Sequence, residues 1–242
     1  MKLLLISNSA SPGESYLEKA KADLSKLLGA QDIKQNVVLI PYAAVTYSFD
    51  EYVSKVNKAL ESEGIRVYGV HEGKSPIEAV LGASAIFVGG GNTWQLTRMM
   101  QEQGLMEVIR KRVKEEGIPY AGWSAGSNVA CPTLSTTNDM PITEPQSFHT
   151  LRLVPFQINP HYLDAHPSNH GGETREMRIQ EYIISNPDIY VAGLREGTRL
   201  LVQDEKIELL GDKPMRLFKN GEEPREINPG EDLSFLLSGA SK

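Results

Sequence analysis

A five-residue run, Gly122-Trp123-Ser124-Ala125-Gly126, constrains this chain more than any other feature. It closes a short apolar stretch containing Ile118, Tyr120 and Ala121. The pattern requires a strand, a sharp turn and a helix start, with the serine at the apex. Glycines two residues either side of Ser124 let backbone segments approach where a Cβ would clash. Such a turn lifts Ser124 out of a sheet and sets the Ala125 N–H at a helix N-terminus, where it can donate to an oxyanion. The run therefore points to serine-hydrolase chemistry.

Around it, short apolar runs alternate with segments of helical period, the signature of a parallel sheet covered by helices. Strands are predicted at 3–6, 37–40, 65–70, 85–88 and 119–122, and helices at 16–28, 50–62, 76–81, 93–103 and 105–116. The helix at 50–62 carries Tyr52, Val53, Val56, Ala59 and Leu60 on one face. Periodicity then lapses between Cys131 and Pro160, where five prolines fall: Pro132, Pro141, Pro145, Pro155 and Pro160. A structureless segment of that length inside a compact domain is usually functional. A helix at 173–186 and a strand at 190–193 follow. Short strands at 198–203, 206–210, 215–219 and 222–227, joined by turns such as Asn220-Gly221, read as an antiparallel appendage on the sheet. The fold class is α/β: a mostly parallel sheet flanked by helices, with C-terminal antiparallel strands. With 242 residues and no linker or repeat, 1–242 reads as one domain.

A net charge of −6 argues against nonspecific nucleic-acid binding. The first apolar run, Leu3 to Ile6, is too short for a signal core and reads as a buried strand. No stretch approaches the roughly 18 apolar residues of a membrane span. Cys131 is the one cysteine, which fits a reducing compartment and excludes an internal disulfide.

A serine nucleophile needs a base, an acid to orient it, and an oxyanion hole. Of the five histidines, His71, His149, His161, His166 and His170, the third stands out. It follows Gln157-Ile158-Asn159-Pro160, a short strand closed by proline, and strand ends are where open α/β sheets place their sites. His161, His166 and His170 with Asp164 are also a conceivable zinc set, but their spacing fits no standard metal motif. Gly89-Gly90-Gly91-Asn92 follows the apolar Ile86-Phe87-Val88 and suits a second oxyanion donor better than a dinucleotide site. Two carboxylates compete as the acid: Asp139 in the long loop and Glu196 after the strand at 190–193.

With these pieces assembled, the chain resembles the peptidase E family of α-aspartyl dipeptidases. The resemblance runs from Leu3-Leu4-Leu5-Ile6-Ser7-Asn8-Ser9 to Glu196. It is strongest in Val88-Gly89-Gly90-Gly91-Asn92-Thr93, the serine elbow, Thr136-Thr137-Asn138-Asp139-Met140-Pro141, Ile158-Asn159-Pro160-His161 and Gly172-Glu173-Thr174-Arg175-Glu176. It implies a cytoplasmic serine peptidase, with no cofactor or metal, that cleaves peptides bearing an N-terminal aspartate. It also implies a fold similar to class I glutamine amidotransferases, with serine replacing their cysteine. Carried over, Ser124 is the nucleophile, His161 the base, and Glu196 or Asp139 the third member; the amidotransferase-like order favours Glu196. The resemblance further implies Gly90 and Ala125 as oxyanion donors, and Arg175 and Asn92 as substrate contacts. Arg175 has a plainer alternative, a helix-surface ion pair with Glu173 or Glu176. The expected partner is a small peptide with N-terminal Asp, not a nucleic acid or membrane, and a homodimer is left open. Two competing functions remain: an α/β-hydrolase-type esterase, which shares the elbow, and a noncatalytic amidotransferase-like binding module.

Overall fold

The structure, a computed structural model, describes residues 1–164 and 171–238. The runs that are apolar at every position become its innermost strands. β1 (Lys2–Ile6) is followed by helices α1 (Lys21–Leu28) and α2 (Gln31–Lys34), then β2 (Val37–Ile40) and α3 (Phe49–Leu60). Next come β3 (Val67–Gly69), α4 (Pro76–Gly82), β4 (Ala85–Val88), α5 (Thr93–Glu102) and α6 (Leu105–Lys114). β5 (Tyr120–Trp123) then leads into the short helix α7 (Ala125–Asn128). All residues of β2, β4 and β5 are buried, as strands covered on both faces must be.

Alternation along these strands sorts the core into two layers. Leu4, Ile6, Val37, Leu39, Ala85 and Phe87 face α1 and α3, where Leu24, Leu27, Tyr52, Val53, Val56 and Leu60 meet them. Leu3, Leu5, Val38, Ile40, Ile86 and Val88 face the other way, onto Leu96, Met100, Leu105 and Ile109 of α5 and α6. α3 starts cleanly because Ser48 and Glu51 form a reciprocal capping box. The predicted helix at 16–28 begins only at Lys21, because Leu17 takes a positive φ of 59° and its N–H turns back to the Ser9 carbonyl.

The later strands form more than an appendage. After β6 (Gln157–Tyr162), α8 (Arg175–Ser185) and β7 (Val191–Arg195) come β8 (Arg199–Gln203), β9 (Lys206–Leu210), β10 (Met215–Phe218) and β11 (Arg225–Ile227). The first sheet has the order β3-β2-β4-β5-β1-β8-β9, with β8 and β9 antiparallel. A second sheet, β11-β10-β7-β6, pairs β6 and β7 parallel and adds β10 and β11 antiparallel. Ile158, Ala192, Leu194, Met215 and Leu217 of this sheet join the same apolar cluster as Leu3 and Leu5. The C-terminal strands are antiparallel as expected, but they do not all join one sheet: β8 and β9 extend the first sheet, and β10 and β11 belong to the second. β6 also runs through Pro160 instead of ending there.

A ladder of charges ties the second sheet together. Arg195 bonds both oxygens of Asp164 and of Glu226, and Arg216 bonds Glu226 and Glu176. These contacts link the ends of β6, β7, β10, β11 and α8. Among the described residues, no helix is long and apolar enough to cross a membrane.

Two outcomes test this packing. A Cβ on Gly126 would lie 2.0 Å from the Val88 carbonyl oxygen, whereas one on Gly82 meets nothing within 4 Å. Gly126→Ala is expected to cost about 1–3 kcal/mol or more in urea denaturation, while Gly82→Ala is neutral or stabilises by roughly 0.4–1 kcal/mol. The second concerns acid. The Arg195 hydrogen bonds hold the Asp164 and Glu226 carboxyls below their usual values. A carboxylate lowered in the folded state contributes stability that is complete above its unfolded value of about 4 and disappears as pH falls through the lowered one. Glu226→Gln should therefore be less stable than wild type at neutral pH, with the difference shrinking below about pH 4, as read by melting temperature across pH.

Candidate active site

β4, β5 and β1 lie side by side, so the loops at their carboxyl ends converge. At the end of β5 the chain turns at Ser124, whose φ of 52° is unusual for a residue with a side chain. Neither glycine of the elbow can be replaced without collision: a Cβ at Gly122 would sit 2.3 Å from the Gly126 carbonyl oxygen. Tyr120 donates to that same oxygen at 2.6 Å, and Ser127 Oγ lies 2.7 Å from the carbonyls of Ile6 and Gly122. The turn is thus fastened to β1 and β5. Among the described residues, the N–H groups of Ala125 and Gly126 at the start of α7 donate to no protein acceptor, and neither do those of Gly90 and Gly91. A Cβ on Gly90 would lie 3.1 Å from that of Ser124, so the glycine run abuts the serine.

His161 Nε2 is 2.9 Å from Ser124 Oγ, and His161 Nδ1 is 2.9 Å from Glu196 Oε1. A carboxylate only accepts, so Nδ1 carries the proton and Nε2 presents its lone pair to the serine hydroxyl. Hydroxyl, imidazole and carboxylate in this order are what activation of an alcohol requires. His161 reaches this place because the register of β6 shifts between Asn159 and Tyr162, and the histidine takes a φ of 54° in that irregularity. Its N–H donates to Ser7 Oγ at 3.0 Å, and Ser7 Oγ donates to the Leu194 carbonyl at 2.8 Å. Asn8 Oδ1 accepts from the Gly197 N–H. Ser7 and Asn8, just past β1, therefore brace both the histidine and the loop carrying Glu196. The sequence reading assigned them no role; their place at a strand's carboxyl end was the available signal. Tyr52, read only as a core position, also reaches the site: its hydroxyl donates to the Gly90 carbonyl at 2.9 Å.

Asp139 is not on the histidine. Its Oδ2 accepts from the Thr93 N–H at 2.7 Å, from Thr93 Oγ1 at 2.6 Å and from Thr137 Oγ1 at 3.1 Å. The carboxylate thus sits at the positive N-terminal end of α5, a favourable place for an anion. Asn138 beside it donates to the Pro160 carbonyl, so this loop supports His161 from behind. Asn92 is committed too: its Oδ1 caps α5 by accepting from the Gln95 N–H, and its Nδ2 donates to the Met140 carbonyl. Asn92 thus has structural partners for both of its polar atoms, whereas Asp139 Oδ1 has no protein partner among the described residues.

Arg175 opens α8, and its Nη1 donates to the His161 carbonyl at 3.3 Å. The ion pair considered for it with Glu173 or Glu176 is absent: Glu176 pairs with Arg216, and Glu173 lies 3.8 Å from Arg178. Among the described residues no carboxylate is within ion-pair distance of Arg175. Burial lowers its guanidinium, Arg178 adds to the effect, and the N-terminal end of a helix disfavours a cation further. Arg195, by contrast, is saturated by Asp164 and Glu226.

Of the conceivable zinc set, His166 and His170 lie outside the described residues. Asp164 is held by Arg195, and both ring nitrogens of His161 are engaged. His71 bonds Asp50, and His149 bonds Arg152.

A protein-family model described as peptidase family S51 matches residues 3–210. Proteins named peptidase E are similar over nearly the whole chain. That of Nostoc sp. is 49% identical over 240 residues, covering 99% of this chain and 98% of its own. That of Salmonella arizonae is 45% identical over 230 residues, covering 95% and 99%. The solved structure of a peptidase from an acI-B1 Actinobacterium shares the fold, with a TM-score of 0.69 at 18% identity over 97% of this chain and 96% of that one. The chain therefore belongs to peptidase family S51 and is a serine-type peptidase.

Proposed function

We propose that this peptidase is a cytoplasmic dipeptidase that hydrolyses the bond after an N-terminal aspartate through an acyl-enzyme. The observation that carries the chemistry is the relay from Ser124 through His161 to Glu196, with 2.9 Å at each step. His161 Nε2 takes the Ser124 proton as Oγ attacks the aspartyl carbonyl carbon. The oxyanion is held by the N–H groups of Gly90 and Ala125. The tetrahedral adduct then collapses, His161 gives its proton to the leaving amine, and the C–N bond breaks. Water repeats the sequence on the ester, releasing aspartate and restoring Ser124. Glu196 holds the imidazole in the needed tautomer and stabilises the imidazolium. Asp139 organises α5 and the loop behind His161. The apolar cluster shared by the two sheets supports reading 1–242 as a single peptidase domain.

The preference for aspartate rests on Arg175, a half-buried cation lying against the His161 carbonyl with no carboxylate partner among the described residues. A guanidinium can take a substrate carboxylate with two parallel hydrogen bonds.

Two measurements test this function. Ser124→Ala should abolish turnover of Asp-Leu, and Glu196→Gln should lower kcat on the order of 10⁴-fold by misorienting the imidazole. Asp139→Asn should lose far less kcat while melting earlier; a reversed pattern would make Asp139 the third member. Arg175→Met should reduce kcat/KM for Asp-Leu by roughly two to three decades, or about 3–4 kcal/mol, the lower part of the range of about 3–5 kcal/mol for a buried pair stripped of one partner. Asn-Leu should lose much less, since it has no charge to forfeit. Equal losses on both peptides would make Arg175 structural. A panel of Asp-X, Glu-X, Asn-X and X-Asp dipeptides checks the specificity directly, and turnover of esters alone would favour the esterase alternative.

A further inference from the structure

The loop Gly89-Gly90-Gly91 faces two demands that conflict. It must be glycine because its neighbours are too close: a Cβ on Gly89 would lie 2.5 Å from the Tyr52 hydroxyl oxygen, and one on Gly91 2.2 Å from the Ala43 carbonyl oxygen. Yet three glycines in a row leave the peptide planes free to rotate. The flanks are pinned, since the Gly89 N–H donates to the Ile40 carbonyl and the Asn92 N–H to the Ala43 carbonyl. Between them, the Gly90–Gly91 peptide has one anchor, the Tyr52 hydroxyl on its carbonyl oxygen.

In a trans peptide the C=O and the following N–H point in opposite directions. With the Gly90 carbonyl drawn inward to Tyr52, the Gly91 N–H is turned away from it, toward the exposed side on which Gly91 lies. A rotated peptide would instead present a carbonyl oxygen beside Ser124, where a developing oxyanion would be repelled. We propose that Tyr52 is a positioning residue, whose hydroxyl holds the Gly90 carbonyl turned inward, so that no carbonyl oxygen opposes the oxyanion beside the neighbouring Gly90 N–H.

Tyr52 is built for this. Its ring is buried in the core beneath α3, and its hydroxyl accepts from Tyr16 Oη at 3.1 Å and from Trp123 Nε1 at 3.0 Å. Its own proton is therefore directed to the Gly90 carbonyl. Burial pushes the phenol well above its usual range, so it remains a donor at any working pH. Trp123 immediately precedes Ser124 and shares its indole N–H with Tyr16 Oη at 2.9 Å. One hydroxyl cluster thus spans the residue before the nucleophile and the loop opposite it.

This inference rests on Ser124 acting as the nucleophile, and the test separates the two. Tyr52→Phe keeps the ring and leaves Trp123 Nε1 partnered by Tyr16; the Gly90 carbonyl loses its donor, and the Tyr16 hydroxyl loses its acceptor, a loss that Tyr16→Phe controls for. A carbonyl free to turn toward the oxyanion offsets about what one donor supplies, on the order of 10²–10³ in kcat, so Tyr52→Phe should fall by about 10²-fold in kcat on Asp-Leu with little change in KM. An aspartyl aldehyde that adds to Ser124 mimics the tetrahedral state, and its affinity should fall in parallel, whereas inhibition by free aspartate should not. Tyr16→Phe preserves the Tyr52–Gly90 bond and should stay near wild type. Circular dichroism and assays well below each melting temperature monitor the fold. An unchanged kcat in Tyr52→Phe, a kcat loss without loss of aldehyde affinity, or an equal loss in Tyr16→Phe would each overturn the role of Tyr52. Turnover surviving in Ser124→Ala would instead overturn the nucleophile assignment.

Discussion

Everything near the catalytic serine depends on one close approach, the backbone of Gly126 against the carbonyl of Val88. Because no side chain intervenes, α7 begins directly beside β4 and the glycine run at its end. That contact puts two sets of unpaired N–H donors on either side of one hydroxyl. It also leaves no room to relax, so the strained backbone of Ser124 persists. Strain of this kind survives only where the surroundings determine it several times over. Here Tyr120, Ser127 and the Ser124 N–H on the Ile6 carbonyl all fasten the turn.

The site is divided between two sheets. The first supplies the Ser124 hydroxyl and the glycine loop after β4; the second supplies His161 and Glu196 from β6 and the end of β7. A misfit between sheets would separate the imidazole from the hydroxyl. Ser7 prevents it, because a single buried hydroxyl at the end of β1 bonds backbone groups of both β6 and β7. Asp139 serves the same end from the other side through Asn138 and α5. A carboxylate can thus matter to a site without touching the reacting groups.

The strands with unbroken apolar runs were legible because burial on both faces leaves little choice of residue. The elbow was legible because its glycines are demanded by distances of about a van der Waals radius. Pro160 misled because proline usually stops a strand; β6 is an edge strand, where the missing donor costs little. Pairing was harder. Periodicity identifies β10 and β11 as strands but says nothing of which neighbour they choose, so the second sheet was hidden. The choice between Asp139 and Glu196 likewise turned on which carboxylate finds another partner first, and Thr93 is far from Asp139 in sequence. Tyr52 looked like core because its ring is core; only its hydroxyl is engaged with the loop.

The position of β1 has a consequence for biosynthesis. It is first in order among the described strands, yet it lies between β5 and β8, and it pairs with residues some two hundred positions later. Its braces reach Leu194 and Gly197, and the charge ladder behind Glu196 closes only with Glu226. Contacts so distant along the chain form late and slowly. On a ribosome, the Ser124–His161–Glu196 relay could close only once the chain beyond β7 had emerged, well after the serine itself.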